Sequence, residues 1–251
     1  METAVTDRQE LWGLILAGGD GIRLRPLTLK IAGDYRPKQF CPVLGGETLL
    51  EQTRRRCALI IPPSRTLVAV TNSHEPFYSS LLAEVPPWRM VVQPENRGTA
   101  PAILYALLRL TAMAPSCPVA IFPSDHFVSD DAAFMAHVEA AFGTVLARPD
   151  LVLLLGITPE NPEVEYGWIE PAEPITGRGA GTLFRVRRFW EKPSAAVARV
   201  LFARGCLWNS FVMVASVSAL LALIRQAIPD LYRAFASVRP VLDTAGEGAA
   251  V

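Results

Sequence analysis

An apolar run from Leu11 to Leu16 passes directly into Ala17-Gly18-Gly19-Asp20-Gly21 and then Ile22-Arg23-Leu24-Arg25-Pro26-Leu27-Thr28, with Pro37-Lys38 following ten residues later. A strand that empties into glycines and clustered cations suits an anion held against backbone. Glycine lets the main chain approach and turn its N–H groups inward, while guanidinium and ammonium groups supply mobile positive charge. Between Asp20 and Lys38 the cations are Arg23, Arg25, Lys30, Arg36 and Lys38, opposed by Asp20 and Asp34. The whole chain balances 24 Lys and Arg against 24 Asp and Glu, so this excess is local. A Rossmann fingerprint on Gly19 and Gly21 would need a third small residue where Leu24 stands, and no Gly-Lys-Ser/Thr closes a Walker loop. Taken alone, the segment fits a polyphosphate site and a plain strand-to-helix turn with solvated charges equally well.

At 251 residues and 51% hydrophobic, the chain can bury a substantial core. The expectation is a polar lead over 1–10 followed by one domain over 11–251. Charge neutrality argues against nucleic-acid and anionic-membrane partners. Cys41, Cys57, Cys117 and Cys206 are widely spaced, as reduced thiols rather than a disulfide frame or zinc site. The first ten residues lack the apolar core of a signal peptide, and the apolar stretch Phe211 to Ile224 is interrupted by Ser216 and Ser218 and too short to span a bilayer. A soluble cytoplasmic protein is expected.

Short apolar runs alternate with helical patterns. Strands are expected at Trp12–Ala17, Thr66–Val70, Met90–Gln93, Val119–Phe122, Leu151–Gly156, Gly167–Glu170, Leu183–Trp190 and Leu207–Val214. Helices are expected at Leu49–Ala58, Thr99–Met113, Ala132–Leu146, Ser194–Arg204, Ser216–Gln226 and Leu231–Ser237, with Asp130 and Asp131 capping the third. This order predicts an α/β fold, a Rossmann-like, mainly parallel mixed sheet with helices on both faces. The continuous run Leu151 to Leu155 implies a strand buried on both faces. Gly177 to Gly181 reads as a hairpin-like connection. In such sheets ligands bind beyond the carboxyl ends of the strands.

The unusual polar residues stand at those ends. Gln93 offers a donor and an acceptor, as reading a base edge requires. Gly98 and Thr99 open a helix whose free N–H groups suit a ligand oxygen, although Thr99 also fits a simple helix cap. Asp125, in Pro123-Ser124-Asp125-His126, is a carboxylate placed to hold Mg²⁺ against phosphates, or a turn residue. His126 suits a hydrogen-bonded neighbour better than a ligand, since Mg²⁺ prefers oxygen. Glu191-Lys192 pairs an acceptor for sugar hydroxyls with a cation for a phosphate, and Asn209 adds a neutral donor and acceptor. Each of these pairs also fits an ordinary surface loop.

Taken in order, the segments resemble the nucleotidyltransferases that make NDP-sugars, most closely mannose-1-phosphate guanylyltransferases. The likeness covers about positions 11 to 240. It rests on the glycine turn with Arg23, Pro26-Leu27-Thr28 and Pro37-Lys38, on Glu191-Lys192-Pro193, and on Arg97-Gly98-Thr99-Ala100-Pro101-Ala102, Pro123-Ser124-Asp125-His126 and Tyr166-Gly167-Trp168-Ile169-Glu170. The resemblance implies the nucleotide-diphospho-sugar transferase type of fold. It implies that Leu16, Ala17, Gly18, Gly19 and Gly21 wrap the nucleoside and its phosphates, with Gln93, Gly98 and Thr99 on guanine and ribose. Arg23 and Lys38 would be catalytic, neutralising the α-phosphate and the departing pyrophosphate. Asp125 would bind Mg²⁺. Gly167, Glu191 and Asn209 would hold the sugar, and Lys192 its phosphate. The partners implied are GTP and mannose 1-phosphate, and a homo-oligomer is compatible with the pattern.

Two departures accompany the likeness. Many members carry a glycine after Asn-Ser, where this chain has Phe211. A second acidic metal ligand commonly comes from a later segment, where this chain offers Asp230, which reads as a helix start, and Asp243 in a small polar tail. The expectation is a sheet short of its last strand, without a C-terminal β-helix or isomerase domain. Two rival readings are the same reaction with another nucleotide or sugar 1-phosphate, and a non-catalytic regulatory homologue that binds nucleotide sugar.

Overall fold

The residues of the first apolar run alternate between two hydrophobic layers, and this alternation organises the molecule. The structure, a computed structural model, describes residues 11–175 and 183–235. The expected lead over 1–10, the Gly177–Gly181 connection, the end of the last helix at Ser237 and Asp243 lie outside them. In β1 (Trp12–Leu16), Ile15 joins Val68, Val70, Phe122 and Val214 under Phe40, Leu50, Phe142 and Val145. Leu14 joins Leu67, Ala69, Ile121 and Ala215 under Leu107, Leu110 and Leu220. Successive side chains of a strand point to opposite faces, so an unbroken apolar run requires cover on both.

β1 pairs in parallel with β2 (Thr66–Thr71) on one side and β4 (Pro118–Pro123) on the other, with Leu14 opposite Leu67 and Ile121. β3 (Met90–Gln93) extends this parallel half beyond β2. Past β4 the sheet turns antiparallel through β8 (Leu207–Ser216), β6 (Trp168–Ile175) and β7 (Leu183–Trp190), in the order β3-β2-β1-β4-β8-β6-β7. The expected fold class holds, with the parallel half carrying the glycine turn. β5 (Val152–Ile157) corrects one expectation: it pairs with β8 alone among the described residues, so Val152 to Leu155 are half-buried and Ile157 is exposed.

The long helices follow their caps. α2 (Leu49–Cys57) opens on a reciprocal Thr48–Glu51 capping box. α4 (Thr99–Met113) starts at Gly98, and α5 (Asp131–Ala147) is capped by Asp130. Ser194 caps α6 (Ala195–Ala203) and Ser216 caps α7 (Val217–Ala227). α8 (Pro229–Ala234) begins two residues ahead of its expected start, because Pro229 suits a first helical position. Two helices were not expected: α1 (Arg25–Ala32), with Pro26 in its first turn, and the single turn α3 (Glu75–Tyr78). Cys41, Cys57 and Cys206 are buried and all four cysteines are free, as their spacing implied. No described helix is long and apolar enough to cross a membrane.

Candidate functional site

The glycine turn is held from below by side chains the sequence did not single out. The Ala17 amide donates to the Ala69 carbonyl at 2.7 Å, continuing the β1–β2 ladder by one bond. The buried Gln39 amide donates to the carbonyls of Ala17 (3.0 Å) and Gly19 (2.7 Å), and Thr71 Oγ1 donates to the Gly18 carbonyl at 2.9 Å. With its carbonyls satisfied inward, the turn is fixed before any ligand arrives. A side chain at Gly18 would force its neighbours to shift, since a Cβ there would lie 2.9 Å from Thr71 Oγ1 and 3.0 Å from Gln93 Nε2. Gly21 has φ +57°, and a Cβ would lie 3.2 Å from the Lys38 nitrogen, so the turn rests on Pro37-Lys38.

Above it opens a cleft of about 540 Å³. Leu16, Gly18, Gly19 and Arg23 line it from the glycine turn, and Gln93, Gly98 and Thr99 from the β3–α4 connection. Asp125 contributes from the end of β4 and Lys192 from the end of β7. Nine of the fifteen residues singled out in sequence therefore share one cavity, with Gln39, Asn96, Ser124, His126 and Phe211 added by the fold. Ala17 is buried beneath the wall, and Gly21 is not among the lining residues. Lys38 sits at its edge, where its ammonium contacts Asp125 Oδ2 at 2.7 Å, and His126 Nε2 lies 3.6 Å from Asp125 Oδ1. Burial holds His126 below the ordinary imidazole range, the Asp125 charge pulling the other way.

Gly167, Glu191 and Asn209 do not line the cleft but gather next to Lys192. The main-chain N–H of Asn209 donates to the Gly167 carbonyl at 2.8 Å, and a Cβ on Gly167 would lie 3.3 Å from Glu191 Oε2. Asn209 Oδ1 accepts from the Phe211 amide at 3.1 Å, so its donor is what a ligand would meet. Tyr166, Trp168 and Trp208 form an edge-to-face cluster behind this group, and the Tyr-Gly-Trp motif is partly structural.

The charge pattern differs from the expectation in detail. Of the five cations between Asp20 and Lys38, Arg23 alone lines the cleft. Arg36 is held by Asp34 through two 2.7 Å bonds, and Arg25 and Lys30 belong to α1, away from the cavity. Arg23 is paired with Glu165, the two side chains being 72% and 57% exposed. Asp230 pairs with Arg233 within α8, as its helix-start reading implied. No cluster of three His, Cys, Asp or Glu able to hold a metal occurs among the described residues.

Two non-glycine residues with left-handed backbone occur among the described residues: Lys192 at φ 42° and Phe211 at φ 62°. Both line the cleft. Such conformations cost on the order of 1–3 kcal/mol each and persist where the surroundings over-determine them, typically at functional sites.

Residues 12–234 match the family model described as Nucleotidyl transferase. The xanthan biosynthesis protein XanB of Xanthomonas campestris pv. campestris (strain B100) is 34% identical over 221 residues, which are 87% of this chain and 44% of that protein. The mannose-1-phosphate guanylyltransferase of Escherichia coli K12 is 28% identical over 246 residues, 94% of this chain and 49% of its own length. The chain thus spans less than half of these curated relatives. A crystal structure described as a mannose-1-phosphate geranyltransferase from Thermus thermophilus superimposes with a TM-score of 0.78 at 32% identity, covering 96% of this chain and 67% of that one. The match along nearly all of the described residues, together with a glycine turn, an aspartate and a lysine converging on one cleft, places the chain in the nucleotidyl transferase family.

Proposed function

We propose that the cleft joins GTP to mannose 1-phosphate, giving GDP-mannose and pyrophosphate. The observation that carries this reading is the convergence of Arg23, Asp125 and Lys192 on one cavity with the glycine turn and the start of α4. The choice of nucleotide and sugar rests on relatives named mannose-1-phosphate guanylyltransferase. Gly18, Gly19 and Gly21 turn their amides to the phosphates, Leu16 and Ala17 back the nucleoside, and Gln93, Gly98 and Thr99 meet guanine and ribose. Gly167, Glu191 and the Asn209 amide hold the mannose, with Lys192 on its phosphate.

A phosphate oxygen of the sugar ester attacks the α-phosphorus in line, the bond to the β-phosphate oxygen breaks, and pyrophosphate leaves. The nucleophile is already an anion, so no general base is required. The protein's task is to align two polyanions and offset their repulsion. Arg23 swings from Glu165 to the departing charge, and Lys38 turns from Asp125 to the nucleotide phosphates. Asp125 suits Mg²⁺, which takes oxygen ligands and commonly binds through one or two carboxylates plus substrate phosphates. When bound, Mg²⁺ supplies further neutralisation of those phosphates.

Pyrophosphate release measured with GTP, ATP, UTP and dTTP against several sugar 1-phosphates tests the assignment. GTP with mannose 1-phosphate is expected to be the best pair, and inactivity of GTP refutes it. No group of three His, Cys, Asp or Glu able to hold a metal gathers at Asp125 among the described residues, which favours one alternative, a regulatory homologue. GTP binding by calorimetry without pyrophosphate release would support that alternative.

A further inference from the structure

A carboxylate inside a glycine turn meant for phosphates is unfavourable unless it does something that outweighs its charge. Asp20 is such a residue, and both of its oxygens are occupied. Oδ1 lies 3.1 Å from His74 Nε2, and Oδ2 accepts from Asn96 Nδ2 at 2.8 Å. The opposite end of the Asn96 amide accepts from the Gly98 nitrogen at 3.0 Å. Gly98 caps α4 with φ 94° and ψ −178°, a conformation essentially restricted to glycine. His74, at the other end, is 7% exposed on its side chain, with its ring edge-on to Phe40 at 5.9 Å. Its Nδ1 is buried without a partner. A bare ring nitrogen is better left there than a bare N–H, which puts the proton on Nε2, facing Asp20.

The chain of contacts thus runs from a core histidine to the glycine turn, across to Asn96, and into the first turn of α4. Asn96 and Gly98 line the cleft together with Gly18 and Gly19, whereas Asp20 does not line it. We propose that Asp20 is a positioning residue for the nucleotide: it clasps the glycine turn to the β3–α4 connection, so that the phosphate-binding and nucleoside-binding halves of the site are held in register before the ligand arrives. This rests on reading the cleft as the GTP site. Pre-organisation lowers the ordering cost of binding, so the clasp acts on nucleotide affinity rather than on the chemical step.

The clasp and the bare charge predict opposite signs. If Asp20 contributed only negative charge, Asp20→Ala would bind GTP more tightly. With the clasp, Asp20→Ala raises Kd and KM for GTP about tenfold, the scale of one hydrogen bond to a charged group. It leaves KM for mannose 1-phosphate unchanged and kcat within about twofold. Asn96→Ala raises Kd for GTP similarly, and the double variant is no weaker than either single one, because both break the same link. Unchanged or tighter GTP binding by Asp20→Ala overturns the proposal. A parallel rise of both KM values with a lowered melting temperature overturns it too, since that marks a merely structural role. Hydrogen exchange without any nucleotide separates this proposal from the functional reading. Asp20→Ala is expected to speed exchange at the Gly98 amide and through Gly18 to Gly21. If the unaltered protein binds no GTP, the functional reading falls, and unchanged exchange in the variant then disproves the clasp itself.

Discussion

Phe211 gives the sharpest test of how backbone and site are connected. Its φ of 62° places an L side chain in the left-handed region, where its Cβ crowds the following carbonyl at a cost of about 1–2 kcal/mol. Glycine escapes that cost but carries about 0.5–1 kcal/mol more backbone entropy in the unfolded chain. Phe211→Gly and Phe211→Ala both lose the ring and its partial burial against the Leu14 and Leu107 layer, so their difference isolates the backbone. At an ordinary φ the alanine variant would be more stable by about 0.5–1 kcal/mol. Here the order inverts, and the glycine variant is expected to be more stable by about 0.5–1 kcal/mol. For a domain of this size that is a melting temperature roughly 1–4 °C higher, readable by thermal unfolding of the two variants side by side. An alanine variant that melts at or above the glycine variant would refute the strain.

Two other expectations follow from the cleft. On the proposed function, Arg23→Ala lowers turnover by about a hundredfold or more, because it removes a charge that offsets the departing phosphates. Its melting temperature stays close to that of the unaltered protein, since an exposed ion pair such as Arg23–Glu165 contributes about 0–1 kcal/mol; near-normal turnover in pyrophosphate release would refute the role. Burial holds His74 below the ordinary imidazole range despite the raising influence of Asp20. The unfolded chain then binds a proton near pH 6.5 that the native protein does not, so stability falls as pH drops below about 6.5. Urea midpoints at pH 7.5 and 5.5 are expected to differ less in His74→Gln, and an equally steep fall contradicts the assignment.

Much of this architecture is legible in the chain because local signals and global packing agree. β1, β2 and β4 are continuous apolar runs that demand two covered faces, and Asp130, Ser194 and Ser216 stand where helix caps belong. α1 was not legible: Arg-Pro-Leu-Thr-Leu-Lys-Ile-Ala has no apolar stripe, and Thr28 is its one buried residue. β5 misled in the other direction, since Leu151 to Leu155 are apolar throughout yet have a strand neighbour on one side only. Residues at strand ends, such as Gln93, Asp125 and Lys192, were visible because topology sends strand ends to ligands. Gln39, Asn96 and Glu165 were not. Their roles arise from approaches across 20 to 142 residues of sequence, and no short pattern encodes those.

The resting charges of the cleft bear on how it handles substrates. Two of its cations are already paired: Arg23 with Glu165, and Lys38 with Asp125. On the proposed function, a triphosphate and a sugar phosphate enter as both pairs open. An exposed pair is worth about 1 kcal/mol or less, so opening Arg23 costs little affinity. The Lys38–Asp125 pair is more enclosed, with side chains 29% and 28% exposed, and separating it alone would strand two half-buried charges. Each of the two charges therefore needs a new counterion at once: the lysine a phosphate, the aspartate a cation. Nucleotide and metal ion should consequently bind with positive coupling, each raising the affinity of the other, as reciprocity between linked sites demands.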